Sequence, residues 1–144
     1  MSISDVLREK GHNVVKTRPG DTVLEAVRLL ADRRIGALVV EDEWMRPVGI
    51  FSERDFLNAI AVHGAEALAM KVQSLMSAPI LSCAPGDRVE SAMALMTKEK
   101  IRHLPVMENG RLAGIVSIGD LVKHRLDEKE LETHVLLDLN RMRG

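Results

Sequence analysis

Apolar and polar residues along the chain follow two periods in turn. Val23, Ala26, Val27 and Leu30 recur at the three-and-four spacing of a helix face. Thr22 stands before them and Glu25 three residues on, the reciprocal pair of a capping box that starts a helix there. Ile35 to Val40 is a short apolar run of strand length, Glu41 to Pro47 a polar hairpin turn, and Val48 to Phe51 a returning strand. Ser52 opens a second helix that reaches about His63, and Val14-Val15 forms a short strand ahead of the Pro19-Gly20 turn. The same order then returns. Ile80-Leu81 is a strand; Val89, Ala92, Met93 and Met96 mark a helix. Leu104 to Met107 and Leu112 to Val116 are strands around Glu108-Asn109-Gly110, and Ser117 opens the last helix. The pattern is β-α-β-β-α, twice, with Ser4 to Lys10, the stretch around Gly64 to Ala78 and the tail after Arg125 outside it.

Identity follows the same register. At an offset of 66, Pro19-Gly20-Asp21 falls on Pro85-Gly86-Asp87, Val23 on Val89, Ala26 on Ala92, Leu29 on Leu95, Ile35 on Ile101, Leu38 on Leu104 and Val40 on Val106. One gap in a turn shifts the offset to 65, where Gly49-Ile50, Ser52 and Asp55 meet Gly114-Ile115, Ser117 and Asp120. Two copies of this length do not make an open array. A unit of about 60 residues buries only ~60% of its unfolded surface and is marginal alone. Two such units packed about a pseudo-twofold axis cover each other's apolar faces, a covalent version of a symmetric dimer. The expected organisation is one module over 1–144. It has a first unit at 12–65, a linker at 66–78, a second unit at 79–126 and a helical tail at 127–144.

Composition narrows the function. The 144 residues are 46% hydrophobic and 28% charged, enough apolar material for a core. Twenty Lys and Arg against 21 Asp and Glu leave a net charge of -1, so there is no basic field to draw in nucleic acid. Trp44, Phe51 and Phe56 are the whole aromatic complement, which excludes a platform stacking several bases. The single cysteine, Cys83, has no partner for an internal disulfide or a thiolate zinc site. No apolar run approaches the ~20 residues that span a bilayer, and Met1 to Asp5 carries no signal-peptide pattern, so no membrane is expected and the expected compartment is the cytoplasm. The five histidines lack the i, i+4 pairing of a helical metal site, and no metal is expected.

The repeated Gly-Ile-x-Ser-x-x-Asp, Gly49 to Asp55 and Gly114 to Asp120, is where chemistry concentrates. Ser at the N-cap and Asp three residues on is a relative of the capping box, and an acid also suits the positive end of a helix. The same geometry can bind a ligand. Free N–H groups at a helix start hold phosphate, a Ser hydroxyl adds a bond, and a carboxylate one turn in accepts from the two hydroxyls of a ribose. Both readings stand at this point.

The double unit resembles a pair of CBS domains (cystathionine β-synthase motifs), often called a Bateman module. The resemblance rests on Gly49-Ile50-Phe51-Ser52-Glu53-Arg54-Asp55, Arg102-His103-Leu104-Pro105-Val106 and Gly114-Ile115-Val116-Ser117-Ile118-Gly119-Asp120, and covers about residues 12 to 125. It implies an α/β (α+β) fold of two β-α-β-β-α units packed sheet to sheet, flanked by an N-terminal helix and a long C-terminal helix. It also implies two clefts that hold adenine nucleotides: AMP, ADP, ATP or NAD(H). One cleft would place Asp120 on ribose and Ser117 on phosphate, with Arg102, His103 and Thr17 contributing. The other would use Asp55, Ser52 and Arg54, with Cys83 in the place of Thr17 and Gly36-Ala37 in the place of Arg102-His103. On that grouping the Asp120 cleft is the tighter for AMP-like ligands.

No nucleophile with a positioned histidine and no paired acids outside the caps are visible, so an enzyme is not expected. Leu131, Val135, Leu139 and Met142 form one stripe along the tail. The resemblance reads that stripe as a helix that pairs two subunits, so a homodimer through helices is expected. Two function classes remain. One is a regulatory module that senses adenine nucleotide and acts on a separate regulated protein. The other is a nucleotide-independent dimeric scaffold in which the Ser and Asp pairs only cap helices.

Overall fold

A computed structural model describes residues 1–143, with side chains through Met142. In chain order the elements are α1 (Ile3–Lys10), β1 (Lys16–Thr17), α2 (Val23–Arg33), β2 (Ala37–Glu41), β3 (Pro47–Ser52) and α3 (Glu53–His63). Two 3₁₀ turns, Gly64–Ala69 and Val72–Ser74, lead to α4 (Val89–Glu99), β4 (His103–Glu108), β5 (Arg111–Ser117) and α5 (Ile118–Arg143). The fold is mixed α/β, two β-α-β-β-α halves with a helix before them, the last helix of the second half running on as the long C-terminal helix.

The halves match at the level of register. β1 pairs parallel with β2, Thr17 opposite Val40, and β2 pairs antiparallel with β3. In the second half the parallel partner shrinks to a single bridge, Cys83 opposite Val106, beside the antiparallel pair β4 and β5. Thr17 and Cys83 are equivalent, as are Val40 and Val106. The strand expected at Ile80-Leu81 therefore forms only as that bridge, at Cys83, and the one expected at Val14-Val15 forms at Lys16–Thr17. α2 and α4 both end on a left-handed residue, Arg34 at φ 53° and Lys100 at φ 56°, which stops the helix and feeds the chain into the next strand.

Each half has its own core. Val23, Ala26, Leu30, Leu38, Val40, Phe51 and Val72 form one; Ile3, Val6, Leu7, Cys83, Val89, Ala92, Met96, Leu104, Val106, Val116 and Leu121 form the other. Ala37, Val39 and Pro105 are buried yet belong to neither core, since alternate strand residues face opposite ways and these face the seam.

Residues that lie outside the identity repeat prove to be integral to it. α1 packs on the second half, not the first, and the segment after α3 packs on the first. Val89 N donates to Met1 O (3.2 Å) as Val23 N does to Met70 O (2.9 Å); Ile3 N donates to Asp87 O (2.8 Å) as Val72 N does to Asp21 O (2.8 Å). Beneath them, Gly114 admits Leu7 and Gly49 admits Met76; a Cβ on either glycine would meet those side chains at 2.8 and 2.7 Å. The two preceding segments are thus exchanged between halves, and each half is completed by chain that precedes the other.

α5 is one continuous helix of 26 residues, about 39 Å long at 1.5 Å per residue. Its first turns bury Leu121 and His124; from Leu131 to Met142 every residue is exposed.

Candidate functional site

Both Ser/Asp pairs cap helices. Ser52 has extended backbone, its Oγ accepts from Asp55 N (3.3 Å), and Asp55 Oδ2 accepts from Ser52 N (2.9 Å) and Ser52 Oγ (3.0 Å). Ser117 and Asp120 repeat this: Asp120 N donates to Ser117 Oγ (3.1 Å) and Ser117 N to Asp120 Oδ2 (2.8 Å). Local geometry therefore accounts for both pairs without a ligand. What differs is what faces each acid next.

Asp55 opens onto a cavity of about 270 Å³ at the seam. Ser52, Glu53, Arg54, Asp55 and Asn58 of the α3 N-terminus line one wall, and Lys100, Ile101, Arg102 and His103, between α4 and β4, line the other. Ile50, Pro79, Ile80 and Leu81 supply aliphatic surface, and Ser77 sits at the acid, its Oγ donating to Asp55 Oδ1 (2.7 Å). The walls touch directly. Arg54 Nη1 donates to Lys100 O (3.0 Å), satisfying a helix C-terminal carbonyl across the seam. Gly36 lies against His103, where a Cβ would stand 3.0 Å from Nε2, so any larger residue would press the imidazole aside. Burial, with the nearby Lys10 ammonium second, holds the His103 imidazole below its usual pKa, which keeps it neutral at pH 7. Arg54 retains free guanidinium donors, and Lys100 and Arg102 add two more cations on the wall beside two carboxylates, the exposed Glu53 and the half-buried Asp55.

Asp120 stands in different surroundings. Lys10, the last residue of α1, places its ammonium 2.6 Å from Asp120 Oδ2 and donates to Ile115 O (2.8 Å). Burial works to raise the Asp120 pKa. The Lys10 ammonium and the Ser117 amide outweigh it and hold the carboxyl below its usual range. Neither Asp120 nor Ser117 lines the cavity.

The grouping of residues differs from the sequence expectation. Arg102 and His103 line the cavity with Asp55, Ser52 and Arg54, because the starts of β2 and β4 meet at the pseudo-twofold, while His103 also keeps its expected neighbour Ser117 as its partner across β4 and β5 and feels the charges of Lys10 and Asp120. Gly36 shares that cavity instead of replacing the basic pair. Thr17 and Cys83 line no part of it. Thr17 is buried, and its Oγ1 donates to Asp21 Oδ2 (2.9 Å), closing the turn whose amide at Arg18 donates to the same oxygen (2.9 Å). Cys83 is buried beside Pro105, and that burial, with Asp87 nearby, pushes its thiol up to about 11. Lys10, Ser77 and Lys100 are the residues the sequence reading missed. Lys10 and Ser77 lie outside the identity repeat, and only the exchange of segments brings them to the acids.

Among the described residues no helix is long and apolar enough to cross a membrane. The family model for the CBS domain matches residues 3–62 and 72–127. The chain is 35% identical over 147 residues to the CBS domain-containing protein CBSX3, mitochondrial, of Arabidopsis thaliana, covering 93% of this chain and 71% of that one. It is similar to the solved CBS-domain containing protein of Agrobacterium tumefaciens, with TM-score 0.84, 42% identity, and coverage of 86% of this chain and 92% of the other. The CBS domain pair of protein MJ0100, solved in complex with 5'-methylthioadenosine and S-adenosyl-L-methionine, shares the fold at TM-score 0.79 and 21% identity, over 89% and 98% of the two chains. With both halves matched, the exchanged segments included in the matches, and the seam between the halves formed as described, the chain belongs to the CBS domain family as a tandem pair.

Proposed function

We propose that the chain is a regulatory module that senses an adenine nucleotide in the Asp55 cleft and acts through a separate protein. One observation carries this: the cavity joins the acid and hydroxyl of one half to the cations of the other. Asp55 accepts from the ribose hydroxyls, with Ser77 able to re-pair with them, since a hydroxyl both donates and accepts. Arg54 and Arg102 bind phosphate from opposite walls, with Lys100 adding charge. Adenine lies against Ile50, Ile80 and Leu81, in keeping with a chain poor in aromatics. The MJ0100 pair indicates that this fold can hold adenosine-bearing molecules. A ligand that touches both halves stabilises one disposition of them over others, which is what a sensor needs.

A second copy of the chain is the expected structural partner. Leu131, Val135, Leu139 and Met142 are all about half exposed or more along one stripe of α5, and a helix with such a stripe gains by pairing. Light scattering should give a dimer that Leu131→Glu with Val135→Glu converts to a monomer. The nucleotide reading is tested by thermal melts with AMP, ADP, ATP and NADH. A ligand at 100 times its Kd adds ~2.7 kcal/mol and raises Tm visibly. If none of the four moves the melt, the sensor reading falls and the scaffold reading, carried by the tail stripe, takes its place.

A further inference from the structure

The two acids are served by different donors from the exchanged segments. In the first half Ser77 N donates to Ile50 O (2.8 Å) and Ser77 Oγ to Asp55 Oδ1 (2.7 Å). In the second half one ammonium does both jobs: Lys10 Nζ donates to Ile115 O, the equivalent of Ile50 O, and to Asp120, the equivalent of Asp55. We infer that Lys10 decides which cleft takes ligand, by standing at Asp120 as a built-in occupant and leaving Asp55 as the nucleotide site. This rests on the proposed reading that these acids take a ribose.

The physical argument has three parts. First, the ammonium is a donor only, with no lone pair to accept from an incoming ribose hydroxyl, whereas the Ser77 hydroxyl accepts as readily as it donates. A ribose can join the Ser77–Asp55 pair, but to take both oxygens of Asp120 with its two hydroxyls it must displace Lys10 from Oδ2, the oxygen that also accepts from Ser117 N. Second, the bond being displaced is charge-assisted and partly shielded, with Lys10 and Asp120 side chains 33% and 26% exposed. Third, Lys10 is held in place by more than its own charge. α1 is pinned by buried Ile3, Val6 and Leu7, with Leu7 seated over Gly114, and His12 Nδ1 lies 3.0 Å from Ala113 O just beyond the helix. A side chain on an anchored helix re-forms its contact after each thermal opening, so the occupant acts at a high effective concentration. The depressed pKa of Asp120 agrees, as the carboxylate is kept ionised and paired. Losing such a bond weakens binding at Asp120 by about 10- to 100-fold relative to an unoccupied acid.

Native mass spectrometry of the full chain with AMP and with ATP tests this. The wild type should hold one nucleotide per chain, Lys10→Arg also one, and Lys10→Met two. The second should vanish in Lys10→Met/Asp120→Asn while the first remains. Retention of the first nucleotide also reports that each variant is folded. Two nucleotides of similar affinity in the wild type, or one in wild type and Lys10→Met alike, overturn the assignment to Lys10 and leave the nucleotide reading intact. No nucleotide in any of the proteins overturns the nucleotide reading, and the assignment with it.

Discussion

The starts of α3 and α5 are the same piece of local structure in two settings. Each has an extended Ser, an Asp three residues on, and a reciprocal pair of hydrogen bonds between them. The Asp55 copy faces a cavity with cations on the opposite wall; the Asp120 copy faces the Lys10 ammonium. A duplicated motif thus fixes what is common, the helix cap, while the chain that crosses from the other half fixes what each copy is free to do. The comparison gives the largest expected effect. Asp55→Ala removes two ribose hydrogen bonds to a charged acceptor, each worth ~1.5–3 kcal/mol, so affinity for AMP should fall by about 100-fold or more. Asp120→Ala should leave AMP affinity within about twofold, because that acid is already engaged. Both variants lose a cap partner worth ~1 kcal/mol, so calorimetric titration is read beside a melt that shows the chain folded. Equal losses in the two variants, or a loss confined to Asp120→Ala, would break the comparison.

A smaller effect sharpens it through the packing beneath the two acids. At Gly49 an added Cβ would lie 2.7 Å from Met76 Sδ and 2.9 Å from the Ser77 carbonyl oxygen, which is backbone held in a bridge to Ile50. At Gly114 the nearest atoms, from 2.8 Å, all belong to the Leu7 side chain, which can turn aside. Overpacking of this kind costs ~1–3 kcal/mol. Gly49→Ala should sit at the upper end and Gly114→Ala at the lower in urea melts. Gly49→Ala should also weaken AMP binding, since displacing Ser77 disturbs its bond to Asp55. If Gly114→Ala is the more harmful to binding, the Asp55 cleft is not the site that matters.

Much of this was legible in the sequence because it is periodic or local. The Thr22–Glu25 cap, the apolar face of α2 and the register of the repeat are all set by residues within a turn or two of each other, and the folded chain keeps them. The grouping of site residues was not legible, because it depends on how two halves meet. Nothing in Arg102-His103 reveals that the start of β4 crosses Gly36 and lies over α3. Lys10 was invisible for a related reason. It lies in a segment with no identity match in the repeat register, yet it packs on the second half as the Met76–Ser77 segment packs on the first. The signal available was a weak one: Ile3 and Leu7 take the same apolar spacing as Val72 and Met76. The apolar stripe places a separate helical piece after Arg125; in the fold it is the continuation of the helix that Ser117 starts, since no Gly or Pro interrupts residues 120–143.

The smallest expected effect concerns His103, which leans toward one cleft while sensing the charges of both. Burial lowers its pKa in the free chain, Lys10 adds to this, and Glu53 and Asp120 oppose it. In the unliganded protein the neutral imidazole is favoured on folding. That stability is present above the unfolded pKa of about 6.5 and is lost as pH falls through the lower folded value. A phosphate bound beside it reverses the preference, because an imidazolium would gain an anionic partner. Binding should therefore take up a fraction of a proton, and AMP affinity should rise by a few-fold between about pH 7.5 and pH 6 while the unliganded chain loses stability over the same range. His103→Gln should flatten the pH dependence of affinity and keep binding at pH 7.5 within a few-fold of the wild type. Calorimetry in two buffers of different ionisation heat reads the proton uptake directly. A slope that persists in His103→Gln would assign the titration to another group, the AMP phosphate included, whose second ionisation lies at about pH 6. A slope that vanishes together with the uptake would make His103 the residue through which the cleft reads phosphate charge, a role with no equivalent at Ala37 in the other half.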